Sequence, residues 1–192
     1  GVPRPDLSIV LGTPNACNNC HTKKSKQWAA DAIRTWTGKS PESFQHFAEA
    51  LHAGSTAGPG ARGALLTVID DKGQPAIARA SAIDRLGRLL TPATIDAVSR
   101  ALNDNDAVVR LAAVEALAGT EPATRQRYLA RMLDDPVLAV RIEAARALSG
   151  ASEQGLPPSA RPAFDKALAE YIAVQTYNAD RPEGRMNLGN IY

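Results

Sequence analysis

The sequence predicts an all-α protein in which helical hairpins stack into an α-solenoid behind an N-terminal helical segment. Two observations predict this fold class. Alanine and leucine carry much of the apolar content while aromatic residues make up only 5%, a composition that favours close-packed helices over a β-sandwich. In addition, apolar or small residues recur at positions i, i+3, i+4 and i+7 within an internal repeat, as they do on the buried face of a helix.

The repeat has a period of 31 residues. Three segments align without a gap, namely ARASAIDRL from Ala78, VRLAAVEAL from Val109 and VRIEAARAL from Val140. A further helix is predicted before each of them, in ARGALLTVID, ATIDAVSRAL and ATRQRYLARML. Asp, Asn, Gly and Pro in the connecting turns end the helices. A unit of two short helices cannot bury its apolar face alone, so neighbouring units must stack.

These units resemble short HEAT-type repeats over about residues 58–150. The resemblance rests on the Asp residues that precede Val-Arg at the start of the second helix, in NDNDAVVR and DDPVLAVR, whereas the first copy, KGQPAIAR, is degenerate. In such repeats the arginines reach turn carbonyls and Asp side chains of adjacent units. We expect this role, rather than ligand binding, for Arg79, Arg110 and Arg141.

The remaining chain divides into an N-terminal segment (1–57), a linker rich in Pro, Gly and Ser (151–161) and a helical tail (162–192). The tail ends in RMNLGNIY, which resembles the first helix of a tetratricopeptide repeat. An isolated half-repeat lacks its partner helix. We therefore expect the chain to be a fragment of a longer protein, and the absence of a signal peptide in GVPRPDLSIV says nothing about its compartment.

Charge and hydropathy argue against two classes of partner. A net charge of +2 and a pI near 8.7 are too mild to indicate nucleic-acid binding. Lys23, Lys24 and Lys26 form the one tight basic cluster, and we interpret it as a solvated surface. No run of 18 apolar residues is present, so no membrane span is predicted.

The chain's only two cysteines, Cys17 and Cys20, lie in a Cys-x-x-Cys-His sequence that ends at His21. This is the attachment signal for c-type haem, in which two thiols bond the porphyrin and the histidine is the proximal iron ligand. Three other interpretations stay open: structural zinc, which would want four ligands, a disulfide, which would close a very small loop, and chance. A thioredoxin-like site is disfavoured because the sequence is not β-rich.

The flanking sequence resembles a bacterial family of multihaem c-type cytochromes that join Cys-x-x-Cys-His sites to HEAT-like and tetratricopeptide repeats. The segments that carry the resemblance are RPDLSIVLGTPNACNNCHTKKSKQWAADAIRTWTG and FQHFAEALHA. It implies that Cys17 and Cys20 carry thioether bonds to haem c and that His21 is the proximal ligand. The family usually has several haem motifs, whereas this chain has one, so we expect the others upstream of Gly1.

The resemblance also implies a compartment, because haem attachment needs maturation outside the cytoplasm. The full-length bacterial protein is expected to be periplasmic or otherwise extracytoplasmic. A fragment expressed in the cytoplasm would lack the haem.

The sixth iron ligand has several candidates, or lies outside this chain. In SPESFQHFAEALHA the helical pattern places Phe47 and Leu51 on the core-facing side, His46 on the opposite side with Ala50, and His52 on the flank. His46 and His52 are therefore the distal candidates. Two methionines are weaker candidates, Met132 in a position that indicates core packing and Met186 in the tail. Two tryptophans follow the motif and either cover the haem edge or pack in a helical core, Trp28 and Trp36.

The sequence favours an electron-transfer module with covalent haem, which turns over no substrate. Its partners would be redox proteins or adjacent haem segments of the same chain. The alternative is a haem-free HEAT/tetratricopeptide scaffold that binds protein partners through its repeat surface. A third hypothesis is an enzyme with an open sixth coordination position on the iron. The sequence shows no Ser/His/Asp or paired-carboxylate pattern that would support other catalysis, so an electron carrier or a scaffold is preferred.

Overall fold

The computed structural model describes residues 3–38 and 47–191, and every regular element within them is helical. The α-helices are α1 (Pro5–Val10), α2 (Ala16–Cys20), α3 (Lys26–Thr37), α4 (Phe47–Thr56), α5 (Ala61–Asp70), α6 (Ala76–Gly87), α7 (Pro92–Ala101), α8 (Ala107–Ala118), α9 (Pro122–Leu129), α10 (Leu138–Leu148), α11 (Arg161–Tyr177) and α12 (Pro182–Gly189). Short 3-10 helices cover Ala130–Asp134, Gly150–Gly155 and Pro158–Ala160.

Three helical hairpins form the middle of the molecule. They pair α5 with α6, α7 with α8, and α9 with α10. The second helices pack side by side, α6 on α8 and α8 on α10, so that each hairpin packs against the next one. The predicted all-α solenoid of HEAT-like hairpins is confirmed.

The core follows the 31-residue period. Three equivalent residues of the second helices, Ile83, Val114 and Ala145, are fully buried. The same holds for a second equivalent set one turn later, which comprises Leu86, Leu117 and Leu148. Removing a leucine side chain from water contributes about 2 kcal/mol, and these positions stabilise the hairpins only when the neighbouring unit is stacked on them.

Between the units runs a ladder of arginine–carboxylate pairs. Arg110 donates from Nε and Nη2 to the two carboxylate oxygens of Asp135, at 2.7 and 2.9 Å. Its Nη1 donates to the carbonyl oxygens of Asp104 and Asn105 in its own turn, at 2.9 and 3.2 Å. Arg79 donates from Nη1 and Nη2 to the two carboxylate oxygens of Asp104, 25 residues further along the chain. The expected contacts with both turn carbonyls and a neighbouring Asp side chain are confirmed for Arg110, and the contact with a neighbouring Asp for Arg79.

The last rung of this ladder uses a different acid. Arg141 donates from Nε and Nη2 to the carboxylate of Glu170 on α11, at 2.5 and 3.0 Å, and from Nη1 to the carbonyl oxygen of Pro136 at 3.2 Å. Helix α11 thus takes the place of a fourth repeat unit and closes the ladder.

Asp104 is the most heavily bonded carboxylate of the ladder. Besides Arg79, it accepts hydrogen bonds from Lys72 Nζ at 2.6 Å and from the backbone N–H of Asp106 at 3.0 Å. Burial by itself raises the pKa of this carboxyl, but the bonds from Arg79, Lys72 and the Asp106 amide outweigh it and hold the pKa well below its usual range. Asp104 is therefore ionised throughout the neutral pH range.

Helix α4 precedes the hairpins and packs against α5 and α6. Phe47 and Leu51 contact the core as predicted, but Ala50, which the pattern placed on the face away from the core, is buried as well. That prediction is wrong because α4 has two neighbours, and the small side chain of Ala50 lets the helix sit close to both.

Residues 151–161, predicted as a linker, lie mostly within the two 3-10 helices Gly150–Gly155 and Pro158–Ala160. Leu156 is buried in the core, and Arg161 Nη1 donates to Glu153 Oε1 at 2.7 Å. The segment therefore connects α10 to α11 compactly. Helix α12 then packs on α11, where Gly184 lies against the Asn178 carbonyl too closely for any Cβ.

We predict that Arg110→Ala lowers the free energy of unfolding by about 3 kcal/mol, because it leaves the buried Asp135 carboxylate without its charge partner. Urea denaturation monitored by circular dichroism measures the change. The matched control is Arg88→Ala, which breaks an exposed ion pair with Asp84 and should cost no more than about 0.5 kcal/mol. Equal losses in the two variants would contradict the role of the ladder.

We also predict that Asp104→Asn is less stable than the wild type near neutral pH and that this difference in unfolding free energy becomes smaller at low pH. The native pKa of Asp104 is lowered, so its ionised form stabilises the fold above the unfolded-state pKa of about 3.9 and stops doing so as the pH falls towards the native value. The gap in unfolding free energy between wild type and Asp104→Asn should be constant near neutrality and shrink between about pH 5 and pH 3. A gap that stays constant down to pH 3 would show that Asp104 does not act through its charge.

Candidate functional site

The Cys-x-x-Cys-His segment folds as the short helix α2, whose start is fixed by two asparagines. Asn15 caps the helix by accepting the backbone N–H of Asn18 at 3.2 Å, and its side-chain amide donates to Asn18 Oδ1 at 2.7 Å. The helix ends at His21, whose backbone N–H donates to the carbonyl of Cys17 at 2.9 Å. Cys17 and Cys20 are therefore one helical turn apart, with the imidazole directly after them.

Asn18 also ties α2 to the loop that follows it. Its Nδ2 donates to the carbonyl oxygen of Lys24 at 2.6 Å and of His21 at 3.4 Å. The side chain thus bonds to both ends of the loop between α2 and α3. One of the two residues between the cysteines therefore fixes the path of the chain beyond His21.

Helix α3 forms the wall opposite α2. Ser25 caps it by accepting the N–H of Trp28 at 3.1 Å, and Gly38, with φ at 72°, ends it in the left-handed conformation that favours glycine. Helix α3 also packs against α1, and its buried residues are Ala29, Ala30 and Ile33.

A pocket of about 240 Å³ opens between α2 and α3. Its lining is mostly apolar and includes both cysteines and the histidine of the motif. The residues around it are Ala16, Cys17, Cys20, His21, Trp28, Ala29, Ala32, Ile33 and Trp36. The two cysteines, His21 and both tryptophans were candidate site residues in the sequence, and all five line this one pocket.

Two aromatic rings organise the pocket. The imidazole of His21 lies against the indole of Trp28 with 4.8 Å between the ring centroids and 53° between the planes. Trp36, two turns further along α3, is 76% exposed although it lines the pocket. So large an apolar side chain at the rim leaves the pocket with an unburied apolar wall.

The lysines beside the motif have structural contacts. Lys26 Nζ donates to the carbonyl oxygen of Gly12 at 3.1 Å, which joins α3 to the loop before α2. Lys24 Nζ lies 5.8 Å from the centre of the Trp28 ring, within cation–π range. Lys23 is exposed. Lys23, Lys24 and Lys26 were interpreted as a solvated surface. Lys26 departs most from that interpretation, because its ammonium group bonds to the backbone.

These residues fit a covalently attached haem. Cys17 is half-buried, Cys20 is exposed and both thiols are free, so both can be reached at the pocket edge. The apolar wall of Ala29, Ala32 and Ile33 suits a porphyrin face. The volume lies below the 300 Å³ or so of ordinary cofactor pockets, so this pocket would cover only part of such a group.

The same residues fit structural zinc less well. Among residues 3–38 and 47–191, no group of three or more His, Cys, Asp or Glu side chains is placed to hold a metal ion. A structural zinc site is almost always made by four such ligands.

None of the described candidates for the sixth ligand lines this pocket. His52 lies half-buried on α4 and does not line the pocket, and His46 falls outside the described residues. Met132 is buried in the repeat core, which agrees with the packing role predicted for it, and Met186 is exposed on α12.

Three features of the site were missed in the sequence. The pocket wall of Ala29, Ala32 and Ile33 continues the stripe of Trp28 and Trp36 along one side of α3, a spacing that helical periodicity could have indicated. The cap at Asn15 also had a signal, since asparagine is a favoured N-cap residue. The bonds of Asn18 to the loop had none.

Comparison with protein families identifies HEAT repeats over residues 62–149. Neither the curated proteins nor the solved structures gave a significant match. The match agrees with the three stacked hairpins, and the chain therefore contains a helical-repeat scaffold of the HEAT type.

No helix in the part of the chain that the structure describes is both long enough and apolar enough to cross a membrane.

We predict that the two thiols differ in reactivity in the folded, haem-free chain. Cys20 is exposed and Cys17 half-buried, so iodoacetamide should alkylate Cys20 faster, since access limits the reaction of a folded thiol. The rates are measured by mass spectrometry on Cys17→Ser and Cys20→Ser, each of which keeps one thiol. Urea-unfolded samples of the two variants serve as controls and should react at equal rates. Equal rates in the folded variants would contradict the geometry of α2.

Proposed function

We propose that the chain is a helical-repeat scaffold whose N-terminal segment holds one covalent c-type haem and transfers electrons. On this proposal it belongs with the multihaem cytochromes that its flanking sequence resembles. The observation that carries the proposal is the convergence of Cys17, Cys20 and His21 on one apolar pocket. A cysteine pair needed only for a disulfide would require neither the imidazole nor the apolar wall.

Each residue of the motif has a distinct role. The thiols of Cys17 and Cys20 would hold the haem by addition of each S–H across a vinyl double bond, sulfur to one carbon and hydrogen to the other, which needs no oxidant. His21 offers a ring nitrogen to the iron, and Trp28 packs against that ring. When bound, the haem supplies an iron that alternates between two oxidation states.

The compartment and the partners follow from this proposal. Thioether formation requires maturation outside the cytoplasm, so the protein would work in the periplasm or another extracytoplasmic space. Electrons would pass to redox proteins or to haem segments elsewhere in the same chain. The second axial ligand would come from His46, His52 or beyond these residues.

A second candidate function is a haem-free scaffold that binds proteins through its repeats. The match of residues 62–149 to HEAT repeats favours it, because repeats of this class commonly mediate protein interactions. The match supports the scaffold directly and does not bear on haem or electron transfer.

The deciding experiment exports the chain to the periplasm of a host with c-type maturation, then measures its intact mass and pyridine haemochrome spectrum. We predict a mass increase of one haem and a spectrum in which both vinyl groups are saturated. Cys17→Ser and Cys20→Ser should each give the spectrum of a haem with one remaining vinyl group. His21→Ala should lose the proximal ligand and most of the stable product.

The control is His52→Ala, which leaves the motif intact and should keep the full haem content even if it changes the axial ligation. An unmodified mass in the exported wild-type chain, beside a maturation-competent control cytochrome, would overturn the haem proposal. The repeat scaffold would then be the favoured function.

A further inference from the structure

The imidazole of His21 makes no hydrogen bond to any residue that the structure describes. Its ring lies instead against the indole of Trp28, with 4.8 Å between the ring centroids. A histidine that binds a metal almost always donates its second ring N–H to a carboxylate, a backbone carbonyl or water, and this bond sets the direction of the ring. In this chain the protein directs the ring by the contact with Trp28 and by the backbone that carries the imidazole.

That backbone is a turn from His21 to Lys24. The N–H of Lys24 donates to the carbonyl oxygen of His21 at 3.0 Å, which closes the turn. Asn18 holds the turn from the side of α2, because its Nδ2 donates to the carbonyl oxygen of Lys24 at 2.6 Å and to that of His21 at 3.4 Å. The carbonyl groups at both ends of the turn therefore bond to one side-chain amide.

The amide of Asn18 is itself held in a fixed orientation. Its Oδ1 accepts a hydrogen bond from Asn15 Nδ2 at 2.7 Å, and Asn15 Oδ1 accepts the backbone N–H of Asn18 at 3.2 Å. With Oδ1 engaged by Asn15, the two N–H donors of Nδ2 face the turn. The bond from the backbone N–H does not need the Asn18 side chain, so α2 keeps its cap when that side chain is removed.

The turn also leads directly to Trp28. Ser25 follows Lys24 in the chain and caps α3 by accepting the N–H of Trp28 at 3.1 Å. Lys24 Nζ lies 5.8 Å from the centre of the indole ring, within cation–π range. The place of the turn therefore sets the place of the indole relative to α2. Since His21 begins the same turn, the bonds of Asn18 fix both partners of the contact between the two rings.

We propose that Asn18 is a positioning residue for the proximal iron ligand, because its amide fixes the turn that holds the imidazole of His21 against the indole of Trp28. This role rests on the haem function proposed above. It gives a residue of the spacer between the two cysteines a part in setting the properties of the iron, separate from the attachment chemistry of the thiols.

The position of the imidazole affects the reduction potential of a bound iron. A hydrogen bond to the ring N–H of a ligating histidine makes the ring a more basic ligand, and solvent exposure of the site also changes the potential. The indole of Trp28 covers part of the His21 ring. An imidazole released from it would bond to water, donate more strongly and favour the oxidised iron with its higher charge. Loss of the Asn18 bonds should therefore lower the midpoint potential.

The second residue of the spacer provides a matched control. Asn19 has the same side chain as Asn18, lies next to it on α2 and is exposed. Among the described residues its side chain makes no hydrogen bond. Asn18→Ala and Asn19→Ala therefore remove the same amide from neighbouring positions, and only the first removes the bonds to the turn.

The test uses the chain exported to a host with c-type maturation. Haem content is measured by intact mass and the midpoint potential by spectroelectrochemical titration. Asn18→Ala should show a lower midpoint potential than the wild type, whereas Asn19→Ala should keep the wild-type value. In the haem-free chain, nuclear Overhauser effects between the ring protons of His21 and Trp28 should be lost in Asn18→Ala and kept in Asn19→Ala. Circular dichroism checks that both variants keep the fold.

A double variant tests whether Asn18 acts through the contact between the rings. Trp28→Leu removes the indole, keeps an apolar side chain and leaves the Asn18 bonds in place, so it should also lower the potential. Asn18→Ala combined with Trp28→Leu should shift the potential no further than the larger of the two single changes, since residues that act through one contact are not additive. Shifts that add would show that Asn18 acts by another route and would overturn the proposal.

The remaining outcomes separate this role from the haem function. An unmodified mass in the exported wild-type chain would overturn the haem function and the positioning role with it. A haem-loaded wild type, with equal potentials in Asn18→Ala and Asn19→Ala, would overturn the positioning role alone. If Asn18→Ala carries no haem, the ring contact in the haem-free chain decides: its loss supports the role of Asn18, and its persistence overturns that role.

Discussion

The structure depends above all on the pairing of each repeat arginine with a carboxylate of the next unit. A guanidinium as buried as that of Arg79 can be accommodated only beside an ionised partner. Asp104 and Asp135 supply that partner and at the same time accept backbone N–H groups at the start of the following helix. One carboxylate thus fixes both the beginning of its own helix and the position of the preceding unit. Apolar burial supplies most of the stabilisation, whereas the ion pairs set the register in which the hairpins meet.

This arrangement gives the two sides of the second helices different electrostatic environments. The arginines and the turn carboxylates occupy one side, where charges are paired and partly buried. Asp84 and Glu115 lie elsewhere on the same helices, and among the described residues Glu115 makes no hydrogen bond or ion pair of its own. The N-terminal pocket is a third and separate surface, formed by α2 and α3.

The sequence predicted the solenoid well because its stabilising contacts are periodic. Ile83, Val114 and Ala145 could be identified as core because the same requirement recurs every 31 residues, and the arginine contacts followed from the resemblance to HEAT repeats. Ala50 was misplaced because a single-helix pattern does not show that α4 has neighbours on two sides. The compact fold of residues 151–161 was missed because Pro, Gly and Ser suit short 3-10 turns as well as linkers. In the site, the motif residues were readable from their spacing, but the bonds of Asn18 depend on a loop path that no local pattern encodes.

The ladder also bears on how such a protein grows in evolution. Arg79 and Arg110 each reach a carboxylate 25 residues ahead, and every 31-residue unit in the middle of the array contributes one arginine and one aspartate. A tandem duplication of 31 codons would therefore insert a unit whose aspartate pairs with the arginine of the preceding unit and whose arginine pairs with the carboxylate of the following unit. No arginine or carboxylate of the ladder would be left unpaired. A duplication of another length would leave an arginine facing the wrong side chain. The gene can thus lengthen or shorten the solenoid in whole units, while Glu170 on α11 remains the fixed acceptor at the end of the array.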